Sequence, residues 1–105
     1  MIEVDYEPHS GVYNIEINEH NTLYFSGKKN EDLSGWTIAN SHDGCPIYEC
    51  RTWENSDDEE ILHDIYSLFF YLKDFINDYE KVDEIIQKVK EICLGKFLQV
   101  KGSII

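Results

Sequence analysis

One segment in the middle of the chain contains the residue types that most often do chemistry. His42, Cys45 and Cys50 lie close together among turn-forming residues. Imidazole and thiolate are zinc ligands, so these three residues are candidate metal ligands. A structural zinc site needs a fourth ligand, and no second paired motif in the sequence supplies one. We therefore expect no metal and no other cofactor, and keep the three residues as candidates.

The same segment could contain a nucleophile, with Cys45 attacking and His42 or His63 acting as the base. A catalytic thiol usually lies in an electropositive setting or at a helix N-terminus. This segment is acidic and precedes a predicted strand. The residues therefore do not predict an enzyme, and a small metal-dependent or cysteine-dependent enzyme remains an alternative.

Carboxylates form the larger pattern. Between residues 54 and 84 the chain has eleven acidic residues and only two lysines, whereas lysines predominate from residue 85 onward. The acids nearest the start of this stretch are Glu54, Asp57, Asp58, Glu59, Glu60 and Asp64. A localised negative field speeds and orients association with a basic protein. These six acids are therefore predicted to bind a partner.

Overall composition narrows the class of partner and the compartment. The chain has 105 residues, a net charge of -12 and three cysteines. Nucleic acid and anionic membranes would be repelled, so we expect neither as a direct partner. An odd number of cysteines, no signal peptide and no apolar run of membrane-spanning length predict a cytoplasmic protein. The length predicts a single domain over residues 1–105.

The elements that must position these residues change type along the chain. Residues 1–53 alternate between apolar and polar side chains, which is the period of a half-buried strand. The predicted strands cover 2–6, 13–17, 23–25, 36–39 and 47–53. Strands followed by helices predict an α+β fold, in which a mainly antiparallel sheet of four to five strands packs against two C-terminal helices.

Residues 56–95 have helical periodicity. Ser56 and Glu59 have the spacing of a capping box, and apolar residues recur every four and three positions from Ile61 to Cys93. This heptad permits one long helix or two helices that turn near residues 77–78. Average helix length favours two. Gly95 is the expected C-cap, and a short last strand is predicted at 97–100.

Several aromatic residues lie at positions that the core pattern does not require. Tyr48 and Trp53 lie in the last predicted strand of the sheet, at 47–53, and Tyr71 lies off the helical stripe. Tyrosine and tryptophan are favoured anchors of protein interfaces. We therefore predict that Tyr48, Trp53 and Tyr71 bind the partner together with the acids.

In overall character the chain resembles the small acidic immunity proteins of bacterial toxin systems, and it is similar to phage anti-defence proteins that imitate nucleic-acid charge. The resemblance rests on the acidic run 54–60, the outer acids Glu3, Asp5 and Glu7, the surplus tyrosines and the size. It includes no family motif from which a residue could be carried over. It implies a protein that occludes the active or nucleic-acid site of a cationic toxin or nuclease, without catalysis of its own.

The leading hypothesis is thus a binding protein that neutralises a basic partner, such as a nuclease toxin or a nucleic-acid enzyme. A second hypothesis is a self-associating structural or regulatory subunit, a homodimer whose seam is the heptad from Ile61 to Cys93. The third is the small metal or cysteine-dependent enzyme that uses His42, Cys45, Cys50 and His63.

Overall fold

The chain folds into a five-stranded antiparallel sheet followed by two helices, which confirms the predicted α+β class. This computed structural model describes the backbone of residues 2–104 and the side chains of residues 2–94. The strands are β1 (Asp5–Glu7), β2 (Val12–Glu16), β3 (Asn21–Ser26), β4 (Gly35–Asn40) and β5 (Pro46–Cys50). A short 3-10 helix at Trp53–Asn55 leads into α1 (Asp58–Leu72), which is followed by α2 (Tyr79–Ile104).

The sheet is a simple meander in which each strand pairs with the next one along the chain. Asp5 lies opposite Asn14 in the first pair, and Trp36 lies opposite Cys50 in the last. β1 and β5 are therefore the two edges. The strand predicted at 2–6 begins later, at Asp5, and the strand predicted at 47–53 ends earlier, at Cys50.

Apolar residues on one face of the sheet form the core beneath the helices. Ile15 lies opposite Leu23, and Phe25 lies opposite Trp36, so period-two alternation places these side chains on the same face. All four are at most 1% exposed. Burying this surface is the main favourable contribution to the stability of the fold.

Gly35 begins β4 at a position that only glycine tolerates. Its φ of 140° lies in the region that side chains avoid. A Cβ there would also overlap the backbone carbonyl of Cys50 on the neighbouring strand. The close approach of β4 to the end of β5, which leads into the helical half, depends on this glycine.

Helix α1 starts with a capping box one residue later than predicted. The Asp57 side chain accepts a hydrogen bond from the Glu60 amide at 2.8 Å, and the Glu60 carboxylate accepts one from the Asp57 amide at 3.3 Å. Ser56 is not the cap because its hydroxyl donates to the Thr52 carbonyl, closing the preceding 3-10 turn. The prediction had the correct motif in the wrong register.

The chain turns after Leu72, which confirms two helices rather than one. Asp78 caps α2 by accepting hydrogen bonds from the Glu80 and Lys81 amides. Two predictions at the other end are wrong: α2 does not stop at Gly95, and residues 97–100 are helical rather than a strand. The backbone kinks at Leu94, and the apolar spacing of four and three continues past it in the sequence.

The predicted heptad forms the core of the monomer rather than a dimer seam. Ile61, Ile65, Leu68 and Leu72 of α1 are at most 3% exposed, and Val82 and Val89 of α2 are fully buried against them and the sheet. A coiled coil that used this stripe would have to unfold the helical layer. Within the described residues, neither helix has the length and apolarity needed to cross a membrane.

Candidate binding surface at the start of helix α1

Four of the six predicted acids line a cleft at the first two turns of α1, and Glu54 and Asp58 lie outside its lining. The segment 52–57 and the helix enclose about 450 Å³ of open space. The cleft is lined by Thr52, Ser56, Asp57, Glu59, Glu60, His63 and Asp64. Four of these seven side chains are carboxylates. Successive helical turns place Glu60 and Asp64 on one side of the helix.

Several of these acids already have partners within the chain. Asp57 and Glu60 form the capping box, and the Asp64 carboxylate accepts a hydrogen bond from the Trp53 indole at 3.1 Å. Each of these carboxylates acts as an acceptor in its hydrogen bond. The acids therefore anchor the start of α1 and contribute to the surface field at the same time.

Among the described side chains, Lys28 reaches the border of this surface, where its ammonium donates a hydrogen bond to the Ser56 carbonyl at 3.4 Å. Lys28 lies 4.0 Å from Asp58, with the two side chains 38% and 41% exposed. Among the side chains of residues 2–94, no other ion pair involves the six predicted acids. The positive end of the helix dipole offsets about half a charge. Four carboxylates around one cleft leave a local excess of negative charge.

Trp53 is not an interface anchor, so this prediction is wrong. Its side chain is fully buried, and the residue belongs to the 3-10 turn rather than to a strand. The indole packs into the core below the cleft, while its N–H donates to Asp64 on the rim. Trp53 therefore supports the cleft from beneath and is not available to a partner.

The other two predicted anchors, Tyr48 and Tyr71, form one aromatic cluster. Their rings lie 4.8 Å apart, and Tyr71 also lies 5.3 Å from Trp36. The Tyr48 hydroxyl donates a hydrogen bond to Asp74, and this bond raises the pKa of Tyr48. Tyr71 stays 37% exposed, so it can contact a partner, whereas Tyr48 is half-buried by its neighbours.

A second cleft of about 340 Å³ connects this aromatic cluster to the acids. Thr52 and Asp64 line both clefts, and the second is also lined by Trp36, Arg51 and Tyr71. The Trp36 indole N–H is buried without a hydrogen-bond partner. Through Thr52 and Asp64, the acids and Tyr71 thus border adjoining clefts along α1.

The candidate metal ligands are not brought together. Cys45 precedes β5 and Cys50 ends it, which separates them by about 16 Å of extended chain. His42 lies beside His20, with ring centroids 6.1 Å apart, in the turns at the Cys45 end. Among the described residues, no group of three or more histidine, cysteine or acidic side chains could hold a metal ion.

The cysteines are not arranged as activated nucleophiles either. A hydrogen bond to Asp43 raises the pKa of Cys45, and burial together with Asp64 raises the pKa of Cys50. Burial raises the pKa of Cys93 to about 12. His63, the second candidate base, lies in the acidic cleft at the far end of β5 from Cys45. This geometry gives no support to the cysteine-enzyme hypothesis.

A separate acidic group lies at the opposite edge of the sheet. Glu3, Asp5 and Glu16 line a smaller hollow of about 290 Å³. Lys81 borders the same hollow and donates a hydrogen bond to the Ile17 carbonyl at 2.9 Å. The described residues that line the cleft at α1 include no lysine. The β1 edge is therefore a second acidic surface, with a lysine beside it, against which the cleft can be compared.

Sequence reasoning missed the exposed aromatic residues of α1. Tyr66 and Phe70 are 47% and 64% exposed, although neither was singled out as a binding residue. A projection of residues 58–72 on a helical wheel would have placed both opposite the core stripe. In α1 the sequence pattern singled out Tyr71, which is less exposed than Tyr66 and Phe70.

Comparison with known proteins adds no assignment to this surface. No protein-family model, no curated protein and no solved structure matches the chain.

Proposed function

We propose that the protein binds and neutralises a basic protein, such as a nuclease toxin or a nucleic-acid enzyme, through the acidic cleft at the start of α1. The observation that carries the proposal is the cleft itself, a concave surface whose described lining includes four carboxylates and no lysine. The compartment that fits this role is the cytoplasm, where the three free cysteines stay reduced.

The cleft has the features that a cationic side chain needs. Glu59 and Asp64 offer carboxylate oxygens for an arginine or lysine head group, and Tyr71 in the connected cleft can stack against its stem. Charge-assisted pairs in a concave site lose less to solvent than pairs on a flat surface. The binding energy is therefore expected to be concentrated on a few arginine or lysine residues of the partner.

Long-range electrostatics favour the same partner. A net charge of -12 attracts a basic protein over the Debye length of about 8 Å at physiological salt. Such steering raises the association rate and leaves the dissociation rate nearly unchanged. Rapid, salt-sensitive association is useful to an inhibitor that must capture a toxin before it reaches its substrate.

Affinity capture with matched charge variants tests the proposal. The triple variant E54Q/E60Q/D64N removes three charges from the cleft region while keeping the hydrogen-bonding groups. The triple variant E3Q/D5N/E16Q removes three charges at the β1 edge, so both variants fall from -12 to -9. Wild-type protein, immobilised in a lysate of its native cell, should retain a basic protein that high salt releases.

The cleft variant should lose most of that protein, and the β1-edge variant should retain it. Equal retention by both triple variants would show that net charge, rather than the cleft, attracts the partner. A retained protein that is acidic, or that resists release by salt, would contradict the proposal as well.

A further inference from the structure

The outward face of α1 is unusually aromatic. Successive residues of a helix are separated by about 100°, so the four core residues of α1 occupy one side of it. On the opposite side lie Glu59, His63, Tyr66 and Phe70, and the C-cap residue Lys73 lies beside them. Phe70 is 64% exposed and Tyr66 is 47% exposed. The solvent side of an amphipathic helix is normally charged or polar, so two large aromatic residues in its middle require an explanation.

Within the described side chains, lysines are the main cover for these rings. The Lys73 ammonium lies 5.2 Å from the centre of Phe70, and the Lys90 ammonium lies 5.0 Å from the centre of Tyr66. Lys90 also donates a hydrogen bond to the Tyr66 hydroxyl. With these lysines in place, Phe70 stays mostly exposed and Tyr66 about half exposed.

The charges on this face are arranged symmetrically about Tyr66. Glu59 lies seven residues before it and Lys73 seven residues after it, which places them two turns away on the same side of the helix. Leu62 and Phe70 lie one turn before and one turn after. Two copies of α1 packed antiparallel with Tyr66 at the centre would therefore place each Glu59 opposite the other copy's Lys73.

We propose that this outward face is the isologous interface of a homodimer, in which α1 packs antiparallel to α1 of a second copy. An isologous interface must be complementary to itself, and a stripe that is acidic at one end, aromatic in the middle and basic at the other meets this requirement. Phe70 packs on Leu62 of the second copy, and the two Tyr66 rings meet at the two-fold axis. The proposal does not depend on the basic partner.

This interface differs from the predicted heptad seam in position and strength. It uses Tyr66 and Phe70, which the folded monomer leaves exposed, and Leu62, which is partly exposed at the edge of the core, so dimerisation requires no unfolding. One pair of helices buries a small area, which places the dimer among weak assemblies. Each copy has a charge of -12, so repulsion opposes association, and screening by salt reduces that repulsion. Dimerisation should therefore strengthen as salt concentration rises.

Sedimentation equilibrium of the full chain at about 10 to 500 µM tests the proposal. Wild type should show a monomer–dimer equilibrium that shifts toward dimer between about 0.05 and 0.5 M salt. F70D should weaken dimerisation at least about tenfold, because it removes a central aromatic contact. I47D is the matched control: it makes the same kind of change at a 45% exposed apolar residue on β5 and should leave the equilibrium unchanged.

A charge swap tests the antiparallel arrangement. E59K alone and K73E alone should each weaken dimerisation, because each places like charges opposite one another. The double variant E59K/K73E should restore it, because both pairs are re-formed with reversed signs. Circular dichroism and thermal unfolding establish that each variant is folded.

Four results would overturn the proposal. They are a wild type that is monomeric throughout this range, a dimer that tolerates F70D, a dimer that I47D weakens equally, and a swap that fails to restore association. Glu59 lines the acidic cleft as well, whereas Phe70 and Lys73 lie outside it, so the F70D result tests the dimer without altering the cleft.

Discussion

Helix α1 presents an acidic first turn and an aromatic outward face. The two surfaces differ in the contacts that their side chains make within the chain. Asp57 and Glu60 bind the helix N-terminus, and Asp64 binds the Trp53 indole. Phe70 has only two aromatic or cationic neighbours among the described residues, the Lys73 ammonium at 5.2 Å and the Phe69 ring at 6.0 Å from its ring centre. Exposure alone therefore does not distinguish a residue that stabilises the fold from one whose side chain is available to bind a partner.

The two surfaces also act over different distances. A carboxylate that caps a helix keeps its charge, so it still adds to the field that a distant cation meets. An aromatic ring acts only on contact, because dispersion and burial need neighbouring atoms. Salt should therefore weaken association at the acidic cleft and strengthen association at the aromatic face. This opposite response separates the two proposals experimentally.

Removing the support beneath the cleft should have the largest effect. Trp53 is fully buried, so W53A should lower the free energy of unfolding by about 3–5 kcal/mol. W53F keeps most of the ring but loses the hydrogen bond to Asp64, and should cost about 1–2 kcal/mol beyond the change in packing. Urea unfolding measures both. A W53A loss below about 1 kcal/mol would contradict a buried indole at this position.

Two neighbouring residues of α1 should respond very differently to the same change. Leu68 is fully buried, so L68A should cost about 2–5 kcal/mol of unfolding free energy. Phe70 is 64% exposed, so F70A should alter stability by no more than about 0.5 kcal/mol in either direction. Urea unfolding of dilute protein, where a weak dimer dissociates, gives both values. Similar losses for the two variants would mean that Phe70 is packed within the monomer.

A smaller effect should separate capping acids from free ones. Asp57 accepts a hydrogen bond from the Glu60 amide, so D57A should cost about 0.5–2 kcal/mol. E54Q changes an exposed acid that makes no described ion pair and should be nearly neutral. Thermal unfolding at neutral pH compares them. A neutral D57A would show that the capping box contributes little to the start of α1.

The local sequence pattern predicted the fold well because apolar residues recur with the period of a strand in the strands and with the period of a helix in the helices. The alternation in β2 and β3 and the stripe through α1 and α2 each bury one face, so period and burial agree. The ends of elements depend on competition between neighbouring caps. Ser56 and Asp57 are both residue types that are favoured as N-caps. The Ser56 hydroxyl bonds to the preceding 3-10 turn, so Asp57 caps the helix instead.

The candidate surface was predictable only in part. A run of acids before a helix must lie near that helix, so the position of the acids beside α1 followed from the sequence, whereas the cleft did not. Whether Trp53 faced inward depended on where β5 ended, and Cys50 rather than Trp53 is its last residue. The separation of Cys45 from Cys50 likewise depended on the strand between them. Such features follow from how elements pack together, and a linear pattern does not contain that information.

Titration of isotopically labelled protein with a short arginine-rich peptide, followed by amide chemical shifts, tests the central claim most directly. The account predicts that amides of residues 52–64 and the Trp53 indole N–H shift first, and that rising salt suppresses these shifts. Amides at Glu3, Asp5 and Glu16 should follow only at higher peptide concentration. Shifts that spread evenly over every acidic surface, or that begin at the β1 edge, would contradict a directional acidic cleft.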